Sequence, residues 1–294
     1  MTLTSMHTHT EWCDGRGTVE DFCRAAVDRG FAAIGFSAHA PVEHAGLSTA
    51  WHLPEKKIVP YLDAVREAKR RWAGKLAVFA GLEVDYIEGR MGPAGGRYRR
   101  MGLDFVIGSV HYVPNPSGGE ILAVDGPPDE FAVLLGTQYR GDAAALTRAY
   151  WTALSGMIQA GGFDILGHMD LIKVNNRDER YFSLSGAEYR ALWRPLLPLL
   201  ASGGFTVEVN TGGLNRGRTN YVYPSGEILA ALGDLRVPFV ITSDAHEPGH
   251  LGGHYETARR VLLEAGCPAL RVFTGRTAAG ALWREEPLTA ESPS

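Results

Sequence analysis

The sequence predicts an α/β fold, one barrel-like domain in which parallel strands alternate with helices, and three observations predict it. Short apolar, β-branched segments recur along the chain and are separated mostly by stretches of helical periodicity. Each segment stays nearly continuously apolar up to a polar end, the pattern of a strand covered on both faces. The 294 residues exceed the commonest domain size, yet one barrel can absorb them around a substantial core. No convincing linker splits the chain, so residues 1–285 are expected to form the domain and residues 286–294 a disordered tail.

In chain order, the first strand closes on His7 and His9. Six more follow as FAAIGFSAH (31–39), LAVFAGLEVDY (76–86), LDFVIGSVHYV (103–113), FDILGHMD (163–170), FTVEVNTGG (205–213) and VPFVITSDAH (237–246). Among the helices, TVEDFCRAAVDRG (18–30) starts with Thr18 and, three residues on, Asp21, the spacing of a capping box, and stops at Gly30. Residues 142–162, 186–204 and 255–267 repeat the helical period, and Pro195 and Pro198 should bend or interrupt the second of these. The Pro- and Gly-rich stretch from Pro114 to Pro128 reads as a long loop, a feature often functional inside a compact domain.

Composition narrows the function. A net charge of −4 argues against a general nucleic-acid binder but leaves room for a small anionic substrate. The three cysteines, Cys13, Cys23 and Cys267, are odd in number and lack CxxC spacing, so neither a disulfide scaffold nor a cysteine-based zinc site is expected. No apolar run reaches membrane-spanning length and the N-terminus lacks a secretory pattern, so the expected location is the cytoplasm. The oligomeric state is left open.

The ionisable residues collect where the strands end. His7 and His9 close the first strand, His39 the second, Glu83 and Asp85 the third, His111 the fourth, His168 and Asp170 the fifth, Glu208 and Asn210 the sixth, and Asp244 and His246 the seventh. In a β/α barrel the carboxyl rim is where side chains from separate strands converge. Residues two apart on a strand share a face, so His7 with His9, and Asp244 with His246, can each chelate. Any one of these histidines alone would read as a hydrogen-bonded structural residue. Together they concentrate more ionisable groups than a rim can bury without a compensating cation. Mixed imidazole and carboxylate donors suit zinc, iron or manganese.

The motifs HTH at His7 to His9, FSAH ending at His39, GLEVD around Glu83, GSVHY around His111, GHMD around His168 and SDAH at Asp244 to His246 resemble, in order, those of the polymerase and histidinol phosphatase (PHP) phosphoesterases. The resemblance spans about the whole chain, and the length looks most like the stand-alone histidinol-phosphatases. It implies a distorted (β/α)7 TIM-like barrel holding three divalent transition-metal ions. By motif, His7, His9, Glu83 and Asp244 would hold the first ion, and Glu83 would bridge to a second held by His111 and His168. Asp14, His39 and His246 would hold the third. The implied activity is hydrolysis of L-histidinol phosphate, in histidine biosynthesis, by a hydroxide bridging two ions. Nucleotides, phosphoprotein or single-stranded DNA are the alternative substrates within the family.

Glu83, Asp244 and His246 are the expected catalytic residues, either of the last two supplying the leaving-group proton. Arg177 and Arg216, in loops after the fifth and sixth strands, are placed to clamp the phosphate of a small phosphomonoester. His44 and Tyr112 are candidates for touching the rest of the substrate.

Overall fold

The computed structural model describes residues 1–42, 47 and 49–289. Its frame is a seven-stranded sheet in which every neighbouring pair is parallel and the strands follow chain order. Strand β1 (Thr4–Ser5) leads through helix α1 (Val19–Asp28) to β2 (Ala33–His39), and α2 (Ile58–Arg71) leads to β3 (Ala77–Asp85) and β4 (Phe105–Ser109). Helices α3 (Pro128–Val133) and α4 (Ala143–Ala160) precede β5 (Ile165–Leu166). Helices α5 (Ala187–Trp193) and α6 (Leu197–Ser202) precede β6 (Thr206–Asn210), and α7 (Gly212–Asn215) and α8 (Gly226–Asp234) precede β7 (Phe239–Thr242). Helix α9 (Tyr255–Glu264) leads to an antiparallel hairpin of β8 (Ala269–Thr277) and β9 (Gly280–Pro287).

The sheet curls until its edges meet. A parallel bridge joins Thr8 to Ala245, where His9 N–H donates to the Ala245 carbonyl at 2.9 Å. Closure leaves little exposed sheet edge, and it brings the first and last histidine motifs side by side although they are separated by more than two hundred residues.

The period of two along each strand layers the barrel interior. On β3, Phe79, Gly81, Glu83 and Asp85 share one face. Phe79 joins Phe105, Ile107, Ile165, Val240 and Phe273 in an apolar layer at the amino-terminal end. Gly81 is required beside Phe105, because a Cβ there would lie 2.4 Å from the ring. Above them the same face carries the carboxylates of Glu83 and Asp85, both about 1% exposed.

Local signals read from the sequence have structural counterparts. Thr18 and Asp21 form a reciprocal capping box at α1. Pro195 and Pro198 fall at a break between α5 and α6, bridged by a 3-10 turn. Helices α2 and α8 and the β8–β9 hairpin were not anticipated. The tail boundary also moves, since β9 extends to Pro287 and Leu288 is buried, so residues 286–288 belong to the hairpin. They are held by Thr2, whose N–H donates to Glu286 Oε2 at 2.9 Å. No helix among the described residues is long and apolar enough to cross a membrane.

Candidate metal centre

Register brings the rim residues together. His39 and Glu83 are directly paired on β2 and β3, and His39 Nδ1 lies 3.0 Å from Glu83 Oε2. That oxygen is also 3.2 Å from His7 Nε2 and 3.5 Å from His9 Nε2. The other oxygen, Oε1, lies 2.9 Å from His168 Nε2 and 3.6 Å from His111 Nε2. One buried carboxylate thus faces five imidazoles, three through one oxygen and two through the other.

The donor atoms fall into overlapping groups, each within 4.8 Å: His7, His9 and Glu83; His7, His168 and Asp244; Glu83, His111 and His168; and His9, Asp14, His39 and His246. Every ligand expected from the sequence lies in one of them. The last group is the most open, with the side chains of Asp14 and His246 29% and 21% exposed. A further group of His39, Asp85 and His111 was not foreseen.

The chemistry of these atoms fits a cation. His7 Nε2, His9 Nε2, His39 Nδ1, His168 Nδ1 and Glu83 Oε2 are buried without a hydrogen-bond partner, an arrangement that is costly in a polar cluster. Burial opposes charge on Glu83, but His7, His39 and His111 outweigh it and hold its carboxyl well below the usual range. For His9, burial dominates and His246 and His39 add to it, driving the ring down to about 3, so it stays a neutral imidazole, the ligand form. His111 goes the other way: Asp85 and then Glu83 overcome burial and raise it to about 10.

Neighbouring carboxylates orient the rings. Asp85 Oδ1 accepts from His111 Nδ1 at 2.8 Å, and its Oδ2 accepts from His52 Nε2 at 2.8 Å. Glu208 Oε2 accepts from His7 Nδ1 at 2.9 Å. Both acids were visible at strand ends, and a carboxylate inside an otherwise apolar strand must find a partner. Their partners, however, depend on barrel closure. Asp244 sits in the left-handed region at φ 46°, a conformation Asp tolerates better than most residues, on the sharp turn that brings it beside His7 and His9.

Asp14, His39, Glu83, His111, His168, Asp244 and His246 line a cavity of about 340 Å³ that also takes in Trp51, Asp125, Glu130, Arg216 and Arg218. Arg216 Nη1 donates to the Asp244 carbonyl at 3.1 Å and Nη2 donates to Asp244 Oδ2 at 3.0 Å, while His246 Nδ1 lies 3.0 Å from Nη1 and 3.1 Å from the same carbonyl. Arg218 is held by the carbonyls of Asp125 and Gly126, at 2.6 and 2.9 Å, and so fixes the loop of the cavity wall.

Three substrate expectations fare differently. Arg177 is exposed on a short 3-10 turn and is not among the residues lining the cavity; the Lys173–Asn176 turn before it carries the chain away. Tyr112 is buried and stacks on Trp51, with centroids 5.7 Å apart, so Trp51 occupies the cavity wall where Tyr112 was expected. His44 lies outside the described residues. Trp51, Asp125 and Glu130 went unforeseen because they sit on irregular segments or short helices that carry no period to read.

A barrel of seven parallel strands with clustered histidines and carboxylates at its carboxyl rim defines a metal-site β/α barrel. The family model for the PHP domain matches residues 5–212, and the chain belongs to that family. It is 28% identical over 266 residues to a Deinococcus radiodurans protein named "Probable histidinol-phosphatase", covering 90% of this chain and 94% of that one. To the Bacillus subtilis histidinol-phosphatase it is 26% identical over 264 residues, covering 85% and 96%. A crystal structure of a Lactococcus lactis histidinol phosphate phosphatase, in complex with zinc, L-histidinol and phosphate, superposes with a TM-score of 0.63 at 19% identity, covering 93% of this chain and 97% of that one.

Proposed function

We propose that this chain is a metal-dependent phosphomonoesterase that hydrolyses L-histidinol phosphate to L-histidinol and phosphate. The observation that carries the reading is Glu83, whose two oxygens serve two sets of imidazoles inside a cavity that also holds Arg216. Relatives named as histidinol-phosphatases, matched over 85% or more of this chain, support the choice of substrate.

Three ions are assigned to the clusters: one to His7, His9, Glu83 and Asp244, one to Glu83, His111 and His168, and one to Asp14, His39 and His246. Bound there, divalent ions would supply an acidified water as nucleophile and neutralise phosphoryl charge during displacement. Arg216 completes the phosphate subsite. A guanidinium has five N–H donors, and the contacts to Asp244 engage one on Nη1 and one on Nη2, leaving donors for a phosphate. Trp51, edge-on to His39 with centroids 4.6 Å apart, covers that ring with apolar surface and restricts water beside it. Asp125 and Glu130 place negative charge on the wall, which suits a substrate whose non-phosphate end carries an ammonium group.

The experiment is phosphate release by zinc-, manganese- or iron-loaded protein from L-histidinol phosphate beside nucleotides, sugar phosphates, phosphotyrosine and single-stranded DNA. The expected result is a kcat/KM for histidinol phosphate at least about tenfold above the rest, corresponding to 1.4 kcal/mol of discrimination. A preference for any other member of the panel replaces the substrate.

A further inference from the structure

Glu208 is fully buried on β6, and its carboxylate is saturated by four partners from four parts of the barrel. Oε2 accepts from His7 Nδ1 at 2.9 Å and from Thr242 Oγ1 at 2.8 Å. Oε1 accepts from the His168 main-chain N–H at 2.6 Å and from Asn210 Nδ2 at 2.9 Å. An ionised carboxylate offers about four acceptor positions, so none is left over. His7 and His168 belong to different donor groups around Glu83, one touching each of its oxygens.

We propose, building on the metal-centre reading of the same site, that Glu208 is the positioning residue that locks the His7 ring and the His168 main chain into ion-binding geometry. It touches neither substrate nor ion. By accepting the hydrogen bond from His7 Nδ1–H it holds the tautomer whose lone pair is on Nε2, the atom that faces Glu83 and Asp244 at 3.2 and 3.7 Å. By holding the His168 N–H it fixes the start of the loop that carries the His168 ring.

Glu208→Gln separates this role from packing, because the side chain keeps its shape. The new amide NH2 cannot replace Oε1, which faces two N–H donors, so it takes the place of Oε2. There Thr242 can rotate its hydroxyl to accept, but His7 Nδ1 must surrender its proton, which moves the hydrogen to Nε2 and blocks the lone pair. Zinc affinity of the metal-stripped protein, measured by competition with a chromophoric chelator, is expected to fall about 10- to 100-fold. Unfolding of the metal-free protein, followed by circular dichroism, reports any purely structural damage separately. In a His7→Ala background the same Glu208→Gln change should alter zinc affinity by less than about threefold, because its route through the ring is gone.

Unchanged zinc affinity in Glu208→Gln, or a full-sized loss that persists in His7→Ala, overturns the proposal. Absence of zinc binding by the native protein overturns the metal reading together with it. The zinc-loaded native protein gives a test that needs no variant: long-range proton–nitrogen NMR should show His7 protonated at Nδ1 and ligated through Nε2. Ligation through Nδ1 would refute the role of Glu208.

Discussion

Arg216 grips Asp244 twice, donating from Nη1 to the main-chain carbonyl at 3.1 Å and from Nη2 to the carboxylate at 3.0 Å. The grip aims the guanidinium at the cavity and leaves the second oxygen of Asp244 turned toward His7 and His9, at 3.7 and 3.4 Å. Arg216 therefore stands between the cavity and one of the proposed ligands.

Replacing it with lysine keeps the charge and loses the planar array of donors. Losing a charge-assisted hydrogen bond of this kind costs on the order of 1.5–3 kcal/mol, so kcat/KM should drop about ten- to a hundredfold in Arg216→Lys. The number of ions should not change, since the oxygen of Asp244 that faces His7 and His9 is not the one Arg216 holds. Arg177→Ala, on the exposed turn, should match the parent. Steady-state kinetics with elemental analysis of each variant decides the matter, and an unaltered Arg216→Lys would remove this residue from the phosphate subsite.

Glu83→Gln removes the charge shared by two imidazole sets while preserving volume. The expected protein keeps its far-ultraviolet circular dichroism, loses at least one ion per chain and has turnover reduced by more than about a hundredfold. Stripping the native protein with a chelator should abolish activity in the same way and re-addition of zinc, manganese or iron should restore it. Full turnover with Gln at position 83 would exclude the shared-carboxylate arrangement.

Asp125, half-buried, and Glu130, exposed to solvent, supply the wall charge. Exposed charge pairs contribute about 0.2–1 kcal/mol, so Glu130→Gln should raise KM for histidinol phosphate by about fivefold at most. Turnover of p-nitrophenyl phosphate, which has no ammonium group, should be unaffected. Equal losses on both substrates would show that the wall acts on the phosphate or on the loop rather than on the amine.

What was legible in the sequence is what periodicity and strand chemistry encode. Buried strands announce themselves by apolar runs, and polar residues two apart at their ends, such as His7 with His9, must share a face in any barrel. For that reason the strand ends could be read as one converging cluster, whereas the individual ligands, Asp14 in its loop above all, were named through the resemblance of the motifs to those of the PHP phosphoesterases. Arg216 was legible only as an arginine after the sixth strand, because its contact with Asp244 depends on the left-handed turn at that residue. Trp51 and Glu130 gave no signal, since residues outside the strands are placed by tertiary contacts. Asp85 and Glu208 were seen as polar strand ends, but their roles depend on which histidine the closed barrel brings within 3 Å.

The hairpin shows most clearly what the pattern missed. Phe273 on β8 is 1% exposed and meets Phe79 edge-on with ring centroids 4.8 Å apart, Phe105 at 5.7 Å and Trp283 at 5.2 Å. It therefore plugs the amino-terminal end of the barrel, opposite the rim that carries the histidines, while Arg276 anchors the same strand through Asp164 at 2.9 Å. Phe273→Ala should destabilise the fold by about 3–5 kcal/mol, because the surrounding aromatic rings can collapse only partly into the space left. Ion content and kcat/KM of the folded variant should stay at parental values, since in barrels of this type the amino-terminal end serves stability and the carboxyl end serves chemistry. Denaturant unfolding of the metal-free protein gives the first quantity and kinetics at a temperature where the variant is folded gives the second. A loss below about 1 kcal/mol would mean that the hairpin merely leans on the barrel, and a loss of turnover without a loss of stability would mean that the two ends are coupled.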